Sequence, residues 1–186
     1  MAKIGLKFPV AAKLDETTGG YKDGIVIGKS IKADISPSNY DASQYADDEK
    51  CEVENGFQSC SETLELNDLT QEVASYLLGH KVDEETGEMI ANADDVAPYV
   101  GHGYYCRVKR NNKLMFRALW FPKVKFAEPS DNAETKGESI NFQSSSITSE
   151  IIADSKGDWK REKTFETEAE AISWLKEKAS IQTSAS

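Results

Sequence analysis

Residue types that do chemistry are sparse in this chain, and nowhere do they form a complete set. Gly101-His102-Gly103 places an imidazole between two glycines, the setting of a mobile acid–base group. With no nucleophile or acid at a defined spacing, it reads instead as a surface turn before a strand. Asp47-Asp48-Glu49 and Asp83-Glu84-Glu85 carry the hard oxygen ligands that calcium and magnesium take. Neither has the spaced ligands and turn glycine of an EF-hand, so both read as solvated loops. Ser144-Ser145-Ser146 has no partner base to activate a hydroxyl. Cys51, Cys60 and Cys106 contain no CxxC pair, and His80 and His102 are the only histidines, so zinc-ligand spacing is missing. Phosphate loops, dinucleotide fingerprints, nucleophile elbows and HExxH are also missing. The expectation is a protein without catalytic residues, cofactor or metal; a small hydrolase with a scattered carboxylate pair is the remaining enzymatic alternative.

Binding chemistry offers more. Trp159 and Trp174, with tyrosine side chains, supply the flat apolar faces a sugar ring stacks on. A β-sandwich carbohydrate-binding or adhesion module is therefore an alternative, against simple packing of a terminal helix. Arg107, Lys109, Arg110, Lys113 and Arg117 belong to a stretch, Arg107 to Lys125, that holds seven basic residues and no acid. Between Asp34 and Asp95 the balance reverses, with 17 acids against Lys50 and Lys81. The whole chain of 186 residues sums to −10, so two opposite blocks are segregated along it. Such segregation bears on partners and self-association, and it allows copies to attract head to tail. The acidic balance disfavours ordinary nucleic-acid binding, which needs a basic footprint.

The elements that must position these groups follow from periodicity. A length of 186 residues with 39% hydrophobic content suits one domain with a real core. No apolar run reaches the ~20 residues of a membrane helix. The N-terminus lacks a signal-peptide core and reads as a mature cytosolic start, and an odd, sparse set of cysteines fits a reducing compartment. Ile4, Leu6 and Phe8 alternate in a strand over residues 3–14, and Ile25, Ile27, Ile31, Ala33 and Ile35 alternate in a second. Ser36-Pro37-Ser38-Asn39 breaks that strand, and the polar stretch to residue 50 reads as a long loop. Cys51 to Leu66 reads as extended, but Gln58 to Thr63 is polar on both faces. Asn67 or Asp68 caps a helix with Leu69, Val73, Tyr76 and Leu77 on one face and Gly79 as its stop. Glu85-Thr86-Gly87 suggests a small hairpin, and Asn111-Asn112 a tight turn between strands 104–110 and 113–121. A strand region spans 138–152, and Thr167 with Glu170 forms a capping box for a last helix over 167–179. Six or seven strands and two helices without βαβ alternation predict a mainly β fold, an antiparallel sandwich or barrel with a flanking helix and a C-terminal helix. The expected division is a β-sandwich domain over residues 1–153 and a C-terminal arm over 154–186.

The order of short segments adds a resemblance. Ile25 to Pro37, Tyr45-Ala46-Asp47-Asp48, Val53-Glu54-Asn55-Gly56-Phe57, Glu62-Thr63-Leu64-Glu65-Leu66 and Leu77-Leu78-Gly79 follow one another, with Lys136-Gly137-Glu138-Ser139-Ile140 later. This set, over residues 3–152, resembles the major tail proteins of bacteriophages with long non-contractile tails. The polar Gln58–Thr63 stretch with Cys60 departs from the pattern. The resemblance implies a structural virion protein, made in the host cytoplasm, whose homohexameric rings stack into the tube through which the genome passes. It also implies contact with tape measure, tail terminator and tip proteins, DNA in transit without specific binding, and no membrane insertion. The tube of a contractile tail or a related injection system is the neighbouring alternative. Within that frame, Asn39, Tyr40, Tyr45, Asp47, Asp48 and Glu49 are expected to reach the next ring. Arg107, Lys109, Arg110, Lys113 and Arg117 form the basic face that receives them. Ser59, Ser61, Glu62, Glu65, Glu138 and Asn141 are expected to line the bore.

Overall fold

The computed structural model describes residues 2–46, 49–110, 112–130 and 144–181, and for residues 2–3, 42–46 and 49–54 the backbone alone. It is mainly β. The strands are β1 (Ala2–Asp15), β2 (Gly20–Val26), β3 (Ser30–Ala46), β4 (Glu49–Leu66), the short β5 (Lys81–Val82) and β6 (Met89–Ile90), β7 (Val100–Arg110), β8 (Lys113–Phe126), β9 (Ser145–Ile152) and β10 (Arg161–Phe165). Helix α1 (Gln71–Leu78) follows β4, and α2 (Glu168–Lys178) follows β10. One antiparallel sheet runs β2-β1-β7-β8-β9-β4-β3, with β10 also on β8, and β5-β6 stand apart as a hairpin.

Strand β8 shapes this sheet. Its first part, Phe116 to Trp120, pairs β10, and its last part, Lys123 to Phe126, pairs β9. Both partners occupy the same edge, so the sheet forks after Trp120. One branch continues as β10; the other turns away as β9-β4-β3. The branches enclose a core of Leu64, Leu66, Ile147 and Ile151 from one side and Ala11, Tyr104, Leu119, Phe121 and Val124 from the other, closed by Leu77 and Leu78 of α1. The curl stops short of a barrel. The first half of β1 faces β3 across a groove of about 210 Å³, lined by Leu6, Ile31 and Ala33 among others, with no ladder between the two strands.

A second core lies on the opposite face of β1, β7 and β8. There Val10, Ala12, Tyr105, Phe116 and Trp120 receive Ala171, Leu175 and Ala179 of α2. The strand expected over 113–121 is present as part of β8, with Phe116, Ala118 and Trp120 sharing this face. The capping box is also present: Thr167 Oγ1 accepts from the Glu170 amide at 3.3 Å, and the Glu170 carboxylate accepts from the Thr167 amide at 3.2 Å. Helix α1 begins two or three residues later than expected, capped by Thr70 in place of Asn67 or Asp68, and ends on Gly79 at φ +82°.

Several expectations need correction. The second strand divides into β2 and β3 at residues 27–29, where Gly28 has φ +147°. Pro37 does not break β3, and residues 39–46 continue it against β4 instead of forming a loop. Proline is tolerated because β3 is an edge strand whose free side asks for no donor. Gly101-His102-Gly103 is not a surface turn; it lies inside β7, fully buried. The glycines there give space, since a Cβ on Gly103 would sit 2.5 Å from the Leu119 carbonyl oxygen and 3.0 Å from Leu175. Gly103→Val should therefore lift α2 off the sheet and lower stability by about 1–3 kcal/mol or more. Urea unfolding monitored by tryptophan fluorescence checks this, with the midpoint expected to fall.

Candidate functional site

The residues expected to act fall on three surfaces of the β9-β4-β3 branch and the β7-β8 hairpin. Register places Ser61 between Glu150 and Ser36, Thr63 between Thr148 and Asp34, and Glu65 between Ser146 and Lys32. Ser59 faces Ser38 in the next row. Directly paired residues share a face, so this side of the branch is polar from rim to rim. Ser36, Ser61, Thr63, Thr148 and Glu150 are all exposed. Ser144 donates to Glu65, and Lys32 pairs Asp34 within the face.

Glu62 does not belong to this wall. A strand's period of two puts it with Cys60, Leu64 and Leu66 on the core side, where it is 1% exposed. Its Oε2 accepts from Ser149 Oγ at 3.2 Å, and its Oε1 lies 3.5 Å from His102 Nε2. The His102 Nδ1–H donates to the Val10 carbonyl at 2.9 Å, inside a cage of Tyr104, Phe121 and Phe126 rings. Serine, glutamate and histidine are thus in one line, but in the wrong order for acyl transfer. The serine meets the acid, not the base, and all three are sealed from solvent. The line is a buried polar strut joining β9 and β4 to β7 and β1. Glu138 and Asn141 lie outside the described residues.

The second surface is the β3–β4 hairpin beyond its last rung with β9. Among the described residues, 39–46 pair only with 49–57, a two-stranded ribbon extending roughly 30 Å at ~3.4 Å per residue. Tyr40 lies flat over Gly56, where a Cβ would come 2.5 Å from its hydroxyl. At the base of the ribbon Phe57 stacks on Trp159, centroids 4.5 Å apart and planes 8° apart. Asn39 and Tyr40 are exposed on the ribbon. The side chains of Tyr45 and Glu49, and all of Asp47 and Asp48, lie outside the described residues.

The third surface, the basic hairpin, is largely occupied from within the chain. Lys113 pairs Glu166 at 2.8 Å, Arg117 pairs Glu162, and Lys123 pairs Glu16 at 2.7 Å while lying over the Tyr99 ring at 4.2 Å. Arg107 is half-buried beside α2, so only Lys109 and Arg110 at the tip are exposed without an acidic partner among the described residues. The acids that meet this face come from the β1–β2 turn (Glu16), from β10 (Glu162) and from the residue before the Thr167 cap of α2 (Glu166). The polar sequence Arg-Glu-Lys-Thr-Phe did not announce β10 as a strand. Trp159 and Trp174 do not form one platform: Trp174 packs on Phe165 beneath α2, and Trp159 is taken by Phe57.

A family model described as phage tail tube protein matches residues 31–178. The chain belongs to that family. The match runs from β3 through α2, so the C-terminal segment falls within the family region, beyond the stretch whose sequence carried the resemblance. No curated protein matches the chain. Its role as a tail tube protein is structural, as a component of the virion tail. Among the described residues of this tail tube chain, no group of three or more metal-ligating side chains occurs, and no helix is long and apolar enough to cross a membrane.

One titrating group ties the segment after α1 to the body of the chain. His80, just after α1, bridges Asp95 through Nδ1 and Glu128 through Nε2, each at 2.9 Å, with its ring 7% exposed. The hydrogen bond to Asp95 first, and then Glu128, hold its pKa above the ordinary histidine value against the effect of desolvation. A raised folded pKa stabilises fully below the unfolded value near 6.5, and the contribution is lost as pH rises through the folded pKa. The stability difference between wild type and His80→Gln should accordingly be largest between about pH 5 and 6.5 and shrink above that range. Thermal unfolding of both proteins across pH checks this; a difference that grows with pH would contradict the bridge.

Proposed function

We propose that this chain is the major tube subunit of a long, non-contractile phage tail, assembling as hexameric rings that stack head to tail. The polar face of β9-β4-β3 forms the wall of the bore, and the β3–β4 ribbon reaches a neighbouring subunit. The observation that carries this reading is the polar face itself. A sheet face of serine, threonine and carboxylates spanning three strands has no core to make, yet it is built in register across the branch. Duplex DNA presents a phosphate charge every ~1.7 Å, so a wall of aligned lysines would retain it. Hydroxyls with Asp34, Glu65 and Glu150 repel it, with Lys32 already paired to Asp34. Ser59, Ser61 and Glu65 take this role, joined by Thr63, which stands where Glu62 was expected.

Edges support the same reading. Among the described residues, β3 ends the sheet with its outer side unpaired, and the first half of β1 is unpaired across the groove. Free edges of this length are the sites at which sheets add strands, and closure around a ring removes them. A two-stranded ribbon standing alone is marginal in water, which fits a segment completed by a neighbour. Tape measure protein inside the tube, terminator and tip proteins at its ends, and DNA in transit are the partners this role entails.

Negative-stain microscopy of the purified protein should show rings or tubes. Hydrogen exchange before and after polymerisation tests the ribbon. Amides of residues 39–46 and 49–57 should exchange quickly in the free subunit and become protected in the polymer. A stable monomer under all ionic strengths, or a ribbon that exchanges equally in both states, would contradict the proposal.

A further inference from the structure

The β5–β6 hairpin and the segment after it, residues 81–96, take no part in the surfaces described so far. They form a projection with exposed apolar side chains: Val82 at 40%, Ile90 at 50% and Val96 at 72%. Around these stand Asp83, Glu84, Glu85 and Glu88, none of which makes an ion pair among the described residues. The projection is nevertheless held in one shape. Asp83 Oδ1 accepts from the Glu85 and Thr86 amides at 2.8 and 3.1 Å, fixing the tip. His80 bridges Asp95 to Glu128, fixing the base. The Val96 carbonyl lies so close to Gly79 that a Cβ there would approach it to 2.7 Å. An ordered apolar surface that faces water is unusual without a partner.

The other end of the molecule carries a complementary surface. β7 starts at Val100, beside the projection, and ends at Arg110, so the two ends lie roughly 35 Å apart at ~3.3 Å per residue. At that far end, register sets Ala2 and Leu114 beside Lys109, with Ile4 opposite Arg107 on the same edge. Leu114 is 45% and Ile4 48% exposed, and Lys109 and Arg110 are the exposed basic side chains of this hairpin without an acidic partner among the described residues. Each end thus presents exposed aliphatic groups with uncompensated charge, negative at one end and positive at the other.

We infer that residues 81–96 of one subunit dock on the β7–β8 turn and the adjoining start of β1 in a second copy of this chain, placed end to end along β7. Opposite charge orients the encounter and selects the register, while Val82, Ile90 and Val96 against Leu114 and Ile4 supply the apolar contact. Because the two surfaces are unlike and sit at opposite ends, the contact is heterologous and propagates along an axis. The inference rests on the self-assembly proposed above and names a contact for it distinct from the β3–β4 ribbon.

The test uses the full chain in a Cys51→Ser background. Val96→Cys and Leu114→Cys proteins, mixed, polymerised and treated with a short bismaleimide, should give a cross-linked dimer that neither protein gives alone. Glu84→Lys with Glu85→Lys should raise the concentration needed for polymer by about tenfold or more, and Lys109→Glu with Arg110→Glu in the same chain should restore it. All these positions are exposed or at a hairpin tip, so folding is preserved. If wild type polymerises but the mixed cysteine proteins do not cross-link, this contact is wrong while the tube reading stands. Cross-linking with no effect of charge reversal would overturn the electrostatic part alone. A wild type that polymerises under no ionic strength would overturn the tube reading and this contact together.

Discussion

A strand has two edges, and β8 presents one of them to two different partners. Everything else in the molecule depends on that fork. Because β10 takes the edge over Phe116 to Trp120, β9 can pair only from Lys123 onward, and β4 and β3 must follow it out of the plane. The fork encloses the larger core between its branches. It also leaves the opposite face of β7 and β8 free for α2, and it carries the β3–β4 ribbon away from the body. A single continuous sheet of the same strands would have one buried face and no ribbon. The C-terminal segment is accordingly a structural part of the domain, since β10 creates the fork and Ala171, Leu175 and Ala179 cover its back.

The branch that turns away has a polar outer face and a core-side face that also carries polar groups. Burying a carboxylate is costly unless it is paired and hydrogen-bonded. One Glu62 oxygen accepts from Ser149 of β9, and the other lies 3.5 Å from His102 of β7 without a hydrogen bond. The strut therefore forms only when the two branches are correctly closed. It gives the core a directional contact that Leu64, Ile147 and Phe121 cannot supply, because aliphatic and aromatic packing accepts many registers. A one-residue slip of β4 would bring Glu62 onto the outer face and Ser61 or Thr63 into the core, leaving His102 without its partner.

The strands over 3–14, 104–110 and its return, and the capped helix after Thr167, were legible from their apolar residues, although β1, β7 and β8 bury both faces and not one. The β5–β6 hairpin was legible from Glu85-Thr86-Gly87. What was hidden had no apolar signal to show. Residues 39–46 carry no apolar alternation, so they read as a loop although they form a ladder with 49–57. β10 is polar for a different reason: its Glu162 serves Arg117, a charge pattern that periodicity does not detect. Gln58 to Thr63 obeys the period of two but hides its inward side, because Glu62 is a polar core residue. Parity with Leu64 and Leu66 puts Glu62 inward; the expectation that it lines the bore followed its charge instead. The two charge blocks were plain in the sequence, but Lys113, Arg117 and Lys123 of the basic stretch pair with Glu166, Glu162 and Glu16 of the same chain, all outside the acidic block.

The central claim is that the hydroxyl- and acid-rich face of β9-β4-β3 is turned toward the axis of a tube. A helical reconstruction of the polymer by electron cryomicroscopy tests it most directly. The account predicts that Ser61, Thr63 and Glu65 face the bore while α2 faces outward or toward a neighbour. A reconstruction with α2 or the Lys109–Lys113 tip lining the bore, and the polar face on the outside, would contradict it.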